Sequence, residues 1–253
     1  VNFLIILING FIAGLFSGFF GIGGAVILTP VIRIVFGEPA RIALGTTVPT
    51  IIPAAVFGLI PKKRTGFLKY DVFLYSSLGS VIGSAAGAAL TAVVDASYLM
   101  ILTAILMLFL GIRLTVTRKD EFRRINTFFF KGRFVYACFF IGIAGGFFSG
   151  LLGIGGGLFL IPGYILLLGL NPHEAATTSL AVILVTSIPS LLIHGYLGHI
   201  NWMMAGALSL SMPVGSYIGS KLNERVSSVL LRKLFGIFLI AVSIYFGLSE
   251  LFK

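Results

Sequence analysis

Charged side chains are scarce in this chain. Asp, Glu, Lys and Arg together make up 10% of its residues, where a water-facing surface needs roughly a quarter to a third. That deficit excludes an ordinary soluble domain. Acidic residues number only eight, and no charged residue falls in the middle third of any apolar stretch, so a buried-carboxylate proton relay has no obvious carrier. One cysteine, Cys138, excludes internal disulfides and any cysteine-based metal site. The three histidines form no spaced cluster with Asp or Glu, which argues against a metal or other cofactor. No nucleophile stands beside a base, which argues against an enzyme. The apolar run Val1–Ile8 has neither a basic leader nor a small-residue cleavage site. It reads as a first membrane segment rather than a signal peptide.

Apolar residues are what the chain has in excess: 58% of 253 residues are hydrophobic, with a mean hydropathy of +1.09. The expected fold class is an all-α polytopic membrane protein. A ruler of roughly 17–25 apolar residues per crossing divides it into ten segments, near 2–17, 25–36, 42–60, 72–94, 98–116, 134–149, 158–168, 175–193, 202–222 and 229–251. The second and seventh are too short for a hydrocarbon core of about 30 Å at 1.5 Å per residue.

The net charge of +10 would suggest a nucleic-acid partner in a soluble protein, so its location decides. When the ten segments alternate in direction, fifteen of the eighteen basic residues fall on one side. Most sit in three connections, around Lys62–Lys69, Arg113–Arg133 and Lys221–Lys233. Arg33, Arg41 and Lys253 are on the other side. By the positive-inside rule the rich side is cytoplasmic and both termini are outside, in the cell inner (plasma) membrane. The surplus then maps the bilayer and calls for no nucleic acid.

The two halves resemble each other at a constant offset of 132 residues. Gly14–Gly24 aligns with Gly146–Gly156, Pro30 with Pro162, Gly37 with Gly169, Gly66 with Gly198, and Gly83/Gly87 with Gly215/Gly219. Five segments per half require the halves to face opposite ways. The charges agree: the loop Lys62–Lys69 is basic and its counterpart His194–Asn201 is not, whereas Asp95 lies opposite the basic Lys221–Lys233 connection. The expected organisation is an N-terminal repeat (1–117), a cytoplasmic linker (118–133) and a C-terminal inverted repeat (134–253), an architecture common among secondary transporters.

The duplicated Ser-Gly-x-x-Gly-Ile-Gly-Gly carries the chemistry. Glycines after a helix permit positive φ, and irregular backbone at membrane depth needs a protein or cavity to satisfy it. Breaks at Gly21, Gly23 and Gly24, and at Gly153, Gly155 and Gly156, would aim amides and a helix N-terminus inward, an anion site without a basic side chain. Helix packing through small residues is the competing reading, favoured for Gly83/Gly87 and Gly215/Gly219. Hydroxyls recurring at equivalent places join the candidate site: Ser17 and Ser149, Thr46 and Thr47, Thr178 and Ser179. Thr50 and Thr186 are expected to bond back to their own helices, and His194 and His199 to be interfacial.

These paired motifs, each followed by an apolar stretch, a proline and a Thr-rich helix, resemble the sulfite exporter TauE/SafE family. The resemblance implies a permease for sulfite, sulfoacetate or another small anion, with Ser17, Gly21, Gly23, Gly24, Ser149, Gly153, Gly155 and Gly156 as motif positions. The first half has Gly45 where the second has Thr177, so the half-sites need not be equal. The expected function is export of a small anion by alternating access, with substrate and lipid as the partners and a homodimer left open. A small-anion channel and a non-transporting membrane scaffold are the alternatives.

Overall fold

A computed structural model describes residues 3–93, 96–116 and 133–251. The expected linker 118–133 therefore lies outside the described residues except for Arg133, and so do Asp95, Arg118, Lys119, Arg123, Arg124, Lys131 and Lys253. The described residues form ten helices and no strand: α1 (Phe3–Phe20), α2 (Ala25–Ile34), α3 (Ala40–Lys62), α4 (Tyr70–Leu90), α5 (Ala96–Val116), α6 (Phe134–Leu152), α7 (Gly157–Leu166), α8 (Pro172–Tyr196), α9 (Trp202–Arg225) and α10 (Ser228–Leu251). Six are long and apolar enough to cross a membrane: α1, α3, α4, α6, α8 and, in α10, residues 228–245. α2 and α7 have 10 residues each, about 15 Å of helix and half a hydrocarbon core.

The polarity is that of a protein dissolved in lipid. Large apolar side chains such as Phe3, Ile82, Phe109, Phe140, Leu192 and Ile237 point outward, while the hydroxyls of Thr46, Thr47, Thr50, Ser80, Ser84, Thr186, Ser216 and Ser220 are buried. Lipid tails give helices no hydrophobic reason to associate, so close packing and interhelical hydrogen bonds must do it. Glycine provides the closeness. Along α1, Gly10, Gly14 and Gly18 face Leu208, Met212 and Ser216 of α9 in rising order, so these helices run in the same direction. Along α4, Ser76, Ser80 and Ser84 face Gly142, Gly146 and Gly150 of α6, again in parallel. Gly83 and Gly87 sit against Ile143 and Phe147, and Gly215 and Gly219 against Phe11 and Leu15. Packing is what those four glycines do.

Hydroxyls extend the seams to the central helices. Ser216 and Ser220 of α9 donate to the Ala54 and Gly58 carbonyls of α3, each at 2.6 Å. Ser84 of α4 donates to the Thr186 carbonyl of α8 at 2.8 Å. Across the centre, Gly58 meets Leu180, while Ile51 and Ile183 come together at Gly23, so α3 and α8 cross in opposite senses. α5 and α10 pair at the periphery through Gly111 and Gly236.

Helix starts follow local chemistry. Asn171 caps α8 by accepting from the His173 and Glu174 amides at 3.0 Å, while Glu174 Oε2 accepts from the Asn171 amide at 3.1 Å, a reciprocal capping box.

A side chain at Gly18 has no room. A Cβ there would overlap the Ser216 carbonyl, whereas one at Gly206, on the same α9 seam partner but facing outward, would meet nothing within 4 Å. Gly18→Ala is expected to destabilise the solubilised protein by about 1–3 kcal/mol or to abolish folding. Gly206→Ala is expected to be neutral or to stabilise by up to about 1 kcal/mol. Unfolding in mixed detergent micelles measures both.

Candidate functional site

Each half breaks its helix with the same three glycines in the left-handed region. Gly21, Gly23 and Gly24 have φ of 81°, 86° and 75°; Gly153, Gly155 and Gly156 have 60°, 81° and 70°. An L side chain at Gly24 or Gly156 would be strained, and these two residues are the N-caps of α2 and α7. Among the described residues all ten positive-φ glycines fall into five pairs 132 residues apart, the others being Gly37/Gly169 and Gly66/Gly198.

The two breaks meet inside the molecule. A Cβ built on Gly23 would lie 3.7 Å from the Cα of Gly155, and one on Gly155 would lie 3.7 Å from the Cα of Gly23. Ile51 and Ile183, themselves an equivalent pair, each come within 3.3 Å of the Gly23 position. Gly21 packs on the Ala176 backbone and Gly153 on that of Leu44, so each break rests on the Thr-rich helix of the opposite half. Residues 21–26 and 153–158 are all buried. Among the described residues the amides of Ile22, Gly23, Gly24, Ile154, Gly155 and Gly156 donate no hydrogen bond. To these are added the first two amides of each of α2 and α7, those of Ala25, Val26, Gly157 and Leu158, which have no intrahelical acceptor. N-terminal helix dipoles from both halves therefore start at one buried place, a positive potential made from backbone alone.

The hydroxyls divide into two groups. Ser17 and Ser149 stand beside their own N-cap glycines, each Cβ 3.1 Å from where a Cβ at Gly24 or Gly156 would be. Ser17 Oγ is buried without a partner, and so is Ser179 Oγ, one turn before Ile183 on α8. Thr47, one turn before Ile51, donates to the Leu44 and Gly153 carbonyls, both at 2.7 Å, and so fastens the second break to α3. Thr46 and Thr178 lie away from the centre. Thr46 Oγ1 accepts from the Asn201 amide at 2.9 Å and Thr178 Oγ1 from the Lys69 amide at 3.2 Å. Asn201 and Lys69 are the N-caps of α9 and α4, so this equivalent pair anchors each half to the other. Thr50 and Thr186 bond back to the Thr47 and Val182 carbonyls at 2.6 and 2.8 Å, as expected.

One histidine differs from expectation. His194 is not interfacial but wholly buried, with Nε2 3.0 Å from the Gly150 carbonyl oxygen and its ring 5.6 Å from that of His199. α8 runs on to Tyr196, which draws this side chain inward. Burial first, and then the Arg41 cation, hold the His199 imidazole below its usual range. Lys62, counted as a loop cation, is the last residue of α3 and is buried, bonded to Asn223. The offset itself could have pointed to these positions, because Lys62 pairs with His194, Phe67 with His199 and Arg41 with His173. Among the described residues no three His, Cys, Asp or Glu gather as a metal site would require.

The family model for the sulfite exporter TauE/SafE family matches residues 6–246. "Probable membrane transporter protein YunE" of Bacillus subtilis is 25% identical over 265 residues, covering 96% of each chain. "Probable membrane transporter protein YdhB" of the same organism is 28% identical, over 90% of this chain and 94% of that one. "Probable membrane transporter protein MJ0441" of Methanocaldococcus jannaschii is 27% identical, over 90% and 89%. No solved structure matches the chain.

The unequal pair Thr47/Ser179 gives a direct test of which hydroxyls hold the scaffold. Thr47→Val removes the donor from two buried carbonyls and is expected to cost about 1–3 kcal/mol. Ser179→Ala removes a hydroxyl with no hydrogen-bond partner among the described residues and is expected to change stability by less than about 0.5 kcal/mol. Thermal unfolding in detergent distinguishes them.

Proposed function

Because the chain belongs to the sulfite exporter TauE/SafE family and is a multi-pass membrane transporter, we propose that it exports a small anion through the place where its two glycine breaks meet. Sulfite, or a C2–C3 sulfonate or carboxylate such as sulfoacetate, is the substrate class. The observation that carries this reading is the convergence of unpaired, buried amides from both halves, with the unpartnered hydroxyl of Ser17 at one N-cap glycine and that of Ser179 one turn before Ile183. Unsatisfied backbone in an apolar medium is costly, and an anion would satisfy it. Gly21, Gly23, Gly24, Gly153, Gly155 and Gly156 supply the cradle, Ser17, Ser149 and Ser179 its hydroxyls, and Thr46, Thr47 and Thr178 its fastening.

The transport mode is alternating access between inverted repeats, residues 1–117 and 134–253. Its support is directional: α1 runs with α9, α4 runs with α6, and α3 crosses its own counterpart α8 in the opposite sense. A burial that closes the breaks from both ends favours this mode over a standing pore. A scaffold role would account for the seam glycines but not for the unpaired amides. Orientation follows the basic residues, with the Lys62–Lys69 loop cytoplasmic and both termini outside the plasma membrane. An inside-negative potential drives each exported negative charge by about 2.3 kcal/mol per 100 mV, so export needs no coupled ion.

Reconstituted protein is expected to release trapped sulfite or sulfoacetate, faster as the interior is made more negative by a potassium-diffusion potential. Gly23→Ala and Gly155→Ala, each imposing a side chain on a positive φ, are expected to lower the rate by about tenfold or more, the equivalent of about 1.4 kcal/mol. Flux indifferent to the imposed potential would rule out electrogenic uniport.

A further inference from the structure

The site between the breaks makes no use of a buried cation at one end of the molecule. There the 63–69 loop meets the start of α8 and the end of α9. Lys62 is 2% exposed. Its Nζ donates to Asn223 Oδ1 at 3.1 Å, its one hydrogen bond among the described residues. An ammonium has three donors, so two have no acceptor among the described residues. Among the described residues no carboxylate pairs with it: Glu224 is solvent-exposed and makes no ion pair with it, and Glu174 is held by Lys69 at 2.7 Å. A buried charge with a neutral amide as sole partner is costly to maintain.

The surroundings fix that ammonium in place. Asn223 Nδ2 donates to the Phe19 carbonyl at 2.6 Å, which turns its oxygen toward Lys62 and toward His173 Nδ1, also 3.1 Å away. The His173 ring stacks on Phe67 at 5.3 Å. One amide thus ties Lys62 to the end of α1, just ahead of the Gly21 break, and to α8. Lys62 also lines a cavity of about 330 Å³, with Lys63, Tyr70 and Thr177 as the other residues there that carry polar side-chain groups. The equivalent position in the second half is His194, whose imidazole lies against a carbonyl oxygen. The two ends of the molecule are therefore chemically unequal.

We propose that Lys62 is a second anion subsite, at the end assigned to the cytoplasm, where sulfite or a sulfonate is held before it reaches the breaks. Asn223 positions the ammonium and the anion takes its two remaining donors. This rests on the reading of the chain as an anion exporter.

The test uses full-length protein with sulfite as probe, in oriented proteoliposomes and in detergent. Lys62→Gln is expected to raise the KM for sulfite presented at the Lys62 end by about tenfold or more, with the opposite-side KM within about twofold, and Lys62→Arg to stay within about threefold of wild type. Asn223→Asp gives Lys62 a permanent counter-charge without emptying the core. It is expected to raise the same KM, and it serves if Lys62→Gln does not fold. In detergent, sulfite is expected to raise the unfolding temperature of wild type and Lys62→Arg by clearly more than that of Lys62→Gln or Asn223→Asp, which keep only the site between the breaks. An unchanged KM and an unchanged sulfite-induced shift in these last two would overturn the subsite. Absence of sulfite flux in the wild type, with the shift and its Lys62 dependence intact, would count against export and not against the subsite.

Discussion

Backbone in a hydrocarbon medium must find its hydrogen-bond partners within the protein, and two stretches of this chain do not. The amides around Gly23 and Gly155 are buried at the meeting of two helix N-termini, with no acceptor among the described residues. Much of the fold serves to make that tolerable. The α1/α9 and α4/α6 seams bring backbones close enough to exclude lipid, because Gly14, Gly18, Gly146 and Gly150 present no side chain. Each break is covered by the other half's α3 or α8, and Thr47 holds the Gly153 carbonyl directly. The site and the packing thus express one constraint.

Scaffold contacts recur at matched positions, while the polar chemistry does not. Thr46 with Asn201 and Thr178 with Lys69 are one interaction made twice. So are Ser216 with Ala54 and Ser84 with Thr186. The departures are at functional groups: Thr47 donates to two carbonyls where Ser179 donates to none, and Lys62 stands where His194 does. A transporter whose two ends were identical would bind its anion equally from either side. On the proposed orientation and direction, unequal ends on a repeated frame would let the Lys62 end hold an anion that the His194 end releases.

Much of this was legible in the residues. The ten helices start and stop within a few positions of the apolar runs, and the 10-residue α2 and α7 follow from the glycine-to-glycine spacing in each half. Where the boundaries moved, local chemistry outweighed hydropathy: α8 begins at Pro172 because Asn171 and Glu174 cap it, three residues before the apolar run at Ala175. Thr46 and Thr178 were found by their recurrence, but their partners were not. Those partners are backbone amides 155 and 109 residues away, and no local pattern encodes such a pairing. Lys62 was counted as a loop charge because a window of hydropathy cannot see that α9 folds Asn223 over it.

On the proposed function an anion sits between the two breaks, and a structure of the protein determined with sulfite bound would locate it. Density is expected within hydrogen-bonding distance of the amides of residues 23–25 and 155–157, near Ser17 and Ser179. Sulfite bound elsewhere, with Gly23 and Gly155 still in contact and their amides unoccupied, would contradict the proposal.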